Sequence, residues 1–495
     1  MSQAQQNAEF SRAMALLREG RFADAVPIYR KILRRDPTNI GAANLLGVSL
    51  IQIGRLEDAV AVIRDTLRVD PNQGAAQYNL GTALQALGRY EEAISHFQAA
   101  IRLNPADAQA FNNLGAALKA LRRLDEALNA YQAAARIQPN FAEAHLNIGN
   151  TLHRLGRSLD GLEAIDHAIK LNPARPAGYL SAGNILLGIG APERAIPHFR
   201  EALRLGSTAA STYFRLAMCL YDANAREEAL AVAEKGFKQK PETAEDHAAI
   251  GGFLQRLNRD EEAVSYFNKA LALDADLPVP RLALANSLSV LGRAAEAEQH
   301  YEELSRRHPD YQKTIYNKAF TDLSAGDFQR GWDGYGARFA DQLAGMASRD
   351  FPFPLWTGGK VSKLLVWMEQ GLGDQILYAS LVEEARERTG EIILEMEPRL
   401  VPLMARSFPA VQVIKPLGER TGISADAHLP IGGLGKFFRQ DWQSFPRKAY
   451  LIPDRERAEA LRPKVKSGER CAIGISWQSV SRKTGMFKTA ALDDL

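Results

Sequence analysis

The sequence predicts an α-solenoid followed by an α/β, doubly wound half domain. Three observations lead there. Pro37, Pro71, Pro105, Pro139 and Pro173 recur every 34 residues, and the same phase reaches Pro241 and Pro309, with Ser207 and Ala275 between them. Gly20, Gly54, Gly88, Gly156, Gly190, Gly292 and Gly326 form a second series, its gaps filled by Arg122, Asn224 and Asn258. After Phe339 the period lapses, and short apolar runs alternate with helical stretches, the pattern of a parallel sheet.

Each 34-residue unit reads as two amphipathic helices joined by a tight turn. In the third unit Tyr78, Leu80, Gly81 and Leu84 mark the first helix, and Gly88 closes it where a left-handed residue is cheap. Ala93, Phe97 and Ala100 mark the second helix, which ends at Asn104-Pro105 because proline disfavours helix before it. Small residues at Gly81 and Ala93 let the paired helices approach, and Phe97 fills the space beside them. A third series (Ala25, Ala59, Ala93, Ala127, Gly161, Ala195, Ala229, Ala263 and Ala297) keeps the small position in register through about ten units.

This spacing resembles the tetratricopeptide repeat (TPR), over residues 6–345, with weaker first and last units as expected of caps. The resemblance implies a superhelix whose concave face is lined by each unit's first helix. Asn79, Asn113 and Asn147 sit one repeat apart there. Amides at a fixed interval can hydrogen-bond an extended peptide backbone without reading its side chains, or they can simply cap and solvate the helices. A similar asparagine ladder occurs in the TPR superhelix of the O-linked N-acetylglucosamine transferases, so the resemblance implies a protein or peptide partner in the groove. The series fades at Ser181 and Arg215.

Residues 346–362, with Phe351–Trp356 at their centre, read as an extended connector. Leu364–Met368 then suits a buried parallel strand, Gly371-Leu372-Gly373-Asp374 a turn, and Gln375–Arg388 a helix. Ile392–Met396, Val411–Ile414 and Ala427–Leu429 read as further strands, with a helix around Leu400–Arg406. Ligands of such sheets lie at the carboxyl ends of the strands, where Gly371 and Gly373 permit a tight turn and let a substrate reach bare backbone. The string is neither G-x-G-x-x-G, since Leu377 stands at the third glycine, nor a P-loop.

Glu369-Gln370-Gly371-Leu372-Gly373-Asp374-Gln375-Ile376 resembles the opening of the heptosyltransferase-like glycosyltransferases of GT-B fold, which bacterial proteins also pair with TPR arrays. The resemblance implies a Rossmann-like first half over 363–470 and the start of a nucleotide-sugar-binding half over 471–495. It implies metal-independent, inverting sugar transfer, with Asp374 as the base that deprotonates the acceptor hydroxyl. The nucleotide-sugar donor enters as a substrate, with no cofactor and no metal. By motif position Ser476, Gln478, Ser479 and Lys488 would hold the donor, with Lys483 as an alternative cation. A carboxylate at a helix start can equally be an N-cap, held ionised by the helix dipole.

Composition narrows the rest. With 46% hydrophobic and 24% charged residues the chain is an ordinary globular one, and two cysteines, Cys219 and Cys471, make no disulfide framework. A reducing, cytoplasmic setting fits, with no secretory signal and no membrane span. A net charge of +3 gives no nucleic-acid stripe, although Lys436–Lys488 carries 13 Lys/Arg against 5 Asp/Glu, which suits an anionic ligand or a solvated surface. Asp274-Ala275-Asp276 has D-x-D spacing but occupies a repeat-boundary loop, and His145 and His153 share a helix without a carboxylate partner. His428, near a strand end, could face the cleft or be a satisfied structural histidine. After Trp477 only 18 residues remain, against roughly 150 for a second α/β half. The expectation is a TPR-scaffolded glycosyltransferase, inactive in this truncated form, or alternatively a non-catalytic interaction adaptor.

Overall fold

The computed structural model describes residues 3–309, 311, 313–342, 349–369, 371–416, 422–445 and 449–465. The chain falls into two units, Met1–Lys240 and Pro241–Leu495. The first consists of helix pairs in strict succession, such as Gly74–Ala86 with Tyr90–Leu103 and Ala108–Ala120 with Leu124–Ile137. The second opens with three further pairs, ending in Lys313–Ala325 and Phe328–Tyr335, and continues into the α/β region.

The two small-residue series have separate physical jobs. Every position of the glycine series, its substitutes included, has positive φ: 76° at Gly88 and 73° at Gly292, but also 60° at Arg122, 65° at Asn224 and 57° at Asn258. The turn between paired helices thus demands a left-handed residue, and the chain adopts it even where the side chain opposes it. Inside each pair, a Cβ built on Gly81 would lie 2.8 Å from the Phe97 ring. Phe97 is wholly buried and fills the space that the missing side chain leaves. Alternating small and large partners in this way is how facing helices reach close-packed density.

Arginine occupies the residue before most second helices and pairs with an acid three positions on, as in Arg89–Glu92 at 2.6 Å and Arg123–Glu126 at 2.6 Å. These pairs are exposed and local, worth a few tenths of a kcal/mol each. The packed apolar stripes, running from Ala13 to Leu152 as one continuous core, carry the stability.

Among the described residues the α/β region holds one parallel sheet in the order β3-β2-β1-β4. Its strands are β1 (Val361–Trp367), β2 (Thr389–Glu395), β3 (Gln412–Ile414) and β4 (Ala427–Pro430). Register is Leu364 to Ile392 and Ala427, and Leu365 to Ile393 and His428. Side chains alternate between faces. Leu364, Val366, Ile392 and Leu394 meet the helices Leu372–Ala379, Val382–Arg386 and Val401–Ser407 on one side. Leu365, Trp367 and Ile393 meet Phe339, Phe351 and Phe353 on the other.

Two expectations change here. Among the described residues the α-helices of this region cover only one face, so the sheet is not doubly wound there. Phe339, on the 3-10 helix Gly336–Gln342, and the connector rings Phe351 and Phe353 take the place of a second α-helical layer. The single helix expected over Gln375–Arg388 is broken at Ser380-Leu381. Residues 471–495, expected to begin a second half, lie outside the described residues.

The last repeat is joined to the sheet by buried polar contacts. The Trp332 indole N–H donates to the Arg439 carbonyl at 2.6 Å. Arg439 in turn grips Glu384 with two N–H groups, at 2.9 and 2.6 Å. Among the described residues no helix is long and apolar enough to cross a membrane.

Candidate functional site

The asparagine series proves to be a set of inter-repeat hydrogen bonds. Asn79 Nδ2 donates to Asn44 Oδ1 at 2.8 Å, Asn113 Nδ2 to the Tyr78 hydroxyl at 2.9 Å, and Asn147 Nδ2 to Asn112 Oδ1 at 2.9 Å. Each amide spends one N–H on the preceding repeat, which fixes its orientation. A primary amide has a second N–H and two acceptor lone pairs, and all three residues are only half-buried. Asn317, in the same 34-residue phase, also bonds the preceding repeat within the second unit, donating to Asn286 Oδ1 at 3.2 Å, 31 rather than 35 residues back. It was legible in the sequence but hidden by the gap after Asn147.

At the carboxyl ends of the strands, the order reverses between β1 and β4, the usual ligand position in open α/β sheets. Gly371 is the N-cap of the helix Leu372–Ala379, with φ −80°, and Gly373 lies within its first turn. Neither needs a left-handed backbone, so the turn does not itself demand glycine. A side chain at Gly373 would meet nothing within 4 Å, so the backbone there is open.

Asp374 is the third helical residue rather than the cap, and no side-chain bond caps this helix. It is half-buried among phenols. Burial pushes the Tyr316 phenol up to about 12, and the charges of Glu369 and Asp374 add to the shift. Burial likewise raises Tyr378, with Asp374 and Glu369 adding to it. The Tyr378 hydroxyl donates to that of Tyr335 at 3.3 Å, and the Tyr316 and Tyr335 rings stack at 6.3 Å. Tyr316 and Tyr335 belong to the last repeat, so the repeats supply part of this wall.

The residue missed by sequence reasoning is Glu369. Its buried carboxylate accepts from Arg338 Nε and Nη2, both at 2.7 Å, and from the Gly432 N–H at 2.8 Å. Glu369 ends β1's turn, Gly432 follows β4, and Arg338 comes from the tail of the repeats. The crevice where the strand order reverses is therefore occupied by an internal ion pair. A buried Gln375 adds a further tie, its Oε1 accepting from the Glu397 N–H at 3.0 Å.

Other sequence candidates have structural employment. His428 Nδ1 accepts from the Trp367 indole at 3.1 Å beneath Phe351, on the face away from the helices. Asp274 closes its own loop by accepting from the Asp276 N–H at 2.9 Å. His145 bonds the Pro139 carbonyl at 2.9 Å, and His153 meets Ser158 Oγ at 2.9 Å. Ser476, Gln478, Ser479, Lys483 and Lys488 lie outside the described residues.

Sequence profiles of the tetratricopeptide repeat match residues 10–76, 44–108, 78–140, 112–176, 146–210 and 180–242, and further such profiles match 247–277 and 278–303. The chain is similar to protein FlbA of Caulobacter vibrioides, at 24% identity over 36% of this chain and 40% of that protein. It thus spans about 40% of that relative's length. Among solved structures it is similar to MamA from Desulfovibrio magneticus RS-1 (23% identity, 34% of this chain and 96% of that one, TM-score 0.33). A second is pilF of Pseudomonas aeruginosa (20%, 43% and 96%, TM-score 0.38). A third is YrrB, described as a TPR protein with an unusual peptide-binding site (22%, 36% and 92%, TM-score 0.32). The profiles together take in residues 10–303, more than half of the sequence, and the chain belongs to the tetratricopeptide repeat proteins.

Proposed function

We propose that the chain is an interaction scaffold whose N-terminal repeats hold an extended peptide across their first helices. The observation that carries this reading is the row Asn79, Asn113 and Asn147, half-exposed and each oriented by a bond to the repeat before it. Amides held in place at one-repeat intervals lose little conformational entropy when they bond a peptide backbone. The test is selection of random dodecapeptides on the whole chain and on N79A/N113A/N147A. Binders recovered by the parent and not by the variant support the reading, and equal recovery contradicts it. A reducing, cytoplasmic setting belongs to the same proposal, in keeping with a sequence that holds two cysteines, Cys219 and Cys471.

A second reading is sugar transfer by the α/β region, from a nucleotide-sugar to an acceptor delivered by the repeats. One observation favours it. Asp374 is not spent as a cap, and it sits beside an open glycine backbone at the carboxyl end of β1. In this reading Asp374 takes the acceptor proton, Gly371 and Gly373 border the substrate, and Ser476, Gln478, Ser479 and Lys488 hold the donor. Calorimetry against a panel of nucleotide-sugars tests it. Saturable binding, with transfer lost in Asp374→Asn, supports the enzyme, while no binding leaves the scaffold alone.

A further inference from the structure

One carboxylate in the second unit stands unmatched beside a wall of aromatic rings. The helix Lys313–Ala325 presents Tyr316 and Phe320, four residues apart and so on one face. Their rings lie 5.0 Å apart, and each meets Tyr335, at 6.3 and 5.9 Å. Tyr378 closes the wall 6.4 Å from Tyr335, and it lies four residues after Asp374 on the same face of Leu372–Ala379. Burial is the first cause raising the Tyr316 and Tyr378 phenols, and the Asp374 charge adds to both, so this carboxylate borders both rings.

The neighbouring polar groups are spent on one another. The Tyr378 hydroxyl donates to that of Tyr335 at 3.3 Å. Glu369 is held by Arg338 and by the Gly432 N–H. Asp374, half-buried, makes no hydrogen bond or ion pair among the described residues, and the backbone at Gly373 beside it is open. The helix dipole steadies its charge but gives it no partner side chain. The same wall already receives one cation on its rings: the Arg338 guanidinium lies 4.2 Å from the Tyr335 ring centre and 4.3 Å from that of Phe339. Phe320, 45% exposed, still offers ring surface to solvent.

We propose that Tyr316, Phe320, Tyr378 and Asp374 bind an organic cation, the lysine or arginine side chain of a partner polypeptide. Charge complementarity selects this occupant. Ring faces attract a cation through their quadrupoles, and Asp374 supplies the full opposite charge in a partly dehydrated place. A sugar would need several free donors and acceptors, whereas the Tyr335 and Tyr378 phenols and Glu369 are engaged internally. A hard metal ion would need several oxygen ligands, and no group of three metal-ligating side chains occurs among the described residues. The inference requires neither the peptide groove of the first unit nor a nucleotide-sugar.

The test is ligand-observed NMR titration of the whole chain with the Nα-acetyl amides of arginine and lysine. Their neutral counterparts, the same amides of citrulline and norleucine, and methyl glucoside serve as comparisons. Each cation is expected to bind at least about tenfold tighter than its neutral counterpart, the size of one charge-assisted bond. Binding should weaken about tenfold in Asp374→Asn and in Y316A/F320A, persist in Tyr316→Phe, which keeps the ring, and fall as salt is raised. The melting temperature of Asp374→Asn should change little, because the carboxylate has no internal partner to lose. If Y316A/F320A does not fold, Asp374→Asn and the neutral counterparts decide the matter. Equal binding of cation and neutral amide overturns the inference, as does a cation affinity unchanged in Asp374→Asn. Tighter binding of methyl glucoside than of either cation overturns it in favour of a sugar. N79A/N113A/N147A should bind the cations as the parent does, whichever way peptide selection falls.

Discussion

Arg338 and Glu369 form a two-pronged, buried ion pair, at 2.7 Å through each prong, between the tail of the last repeat and the end of the first strand. The same carboxylate accepts from the Gly432 N–H, so one side chain ties the repeat tail to the turns after β1 and β4. The Arg338 guanidinium also lies 4.2 Å from the Tyr335 ring centre and donates to the Tyr335 carbonyl at 2.9 Å. Within this unit the repeats and the sheet share one polar anchor, which ties Tyr335 to the turn bearing Asp374.

Removing one side of such a pair leaves the other buried and uncompensated. Arg338→Ala is expected to destabilise the second unit by about 3–5 kcal/mol, read by urea unfolding. The double variant R338A/E369A should lose less than the sum of the single ones, because each side chain supplies the other's opposite charge. A loss below about 1 kcal/mol for Arg338→Ala would mean that the anchor contributes little to the stability of the unit.

The left-handed turns give a gain rather than a loss. Arg122 stands at φ 60° where most repeats have glycine. Arg122→Gly should stabilise the first unit by about 1 kcal/mol, and Gly88→Ala should cost about as much. Melting temperatures moving in opposite directions would bear this out, and a fall in both would refute it.

Packing inside the pairs sets a third expectation. A methyl at Gly81 would lie 2.8 Å from the Phe97 ring, which is wholly buried and cannot swing away. Gly81→Ala should cost about 1–3 kcal/mol by overpacking, although alanine is otherwise the better helix former. Combining it with Phe97→Leu should recover part of the loss, and a double variant worse than the sum would contradict the packing account.

Acid should weaken the fold through its histidines. Burial is the first cause holding His96, His198, His247, His300 and His428 below the ordinary 6.5. The folded chain then takes up these protons later than the unfolded chain as pH falls. Their contribution is complete above about pH 6.5 and is lost progressively as pH drops through the lowered folded values. Melting temperature should fall between pH 7.5 and pH 5.5, less steeply in His96→Gln. A flat profile would contradict the assignment.

The repeats were legible because one physical need recurs. A left-handed turn, a small residue facing an aromatic ring and a proline after the second helix return every 34 residues, so each unit repeats the message of the last. The sheet was legible as apolar runs, since strands buried on both faces carry little else. Which layer would cover each face was not, because Phe351 and Phe353 sit in a proline-rich connector with no helical period. Glu369 was passed over for a similar reason. Its string drew attention to the glycines and Asp374, while its partners Arg338 and Gly432 lie 31 and 63 residues away. Local spacing carries no trace of such pairings. The asparagines were visible as a series, but their bonds to the preceding repeat depend on how repeats stack.

The central claim is that the N-terminal repeats bind peptide backbone through amides oriented by neighbouring repeats. The measurement that tests it most directly is the Kd of one selected peptide and of a copy N-methylated at alternate backbone amides, on the parent chain and on N79A/N113A/N147A. The account predicts that N-methylation weakens binding to the parent by about tenfold or more, and that the triple variant binds both peptides equally weakly. Equal Kd values for the two peptides on the parent chain would contradict it.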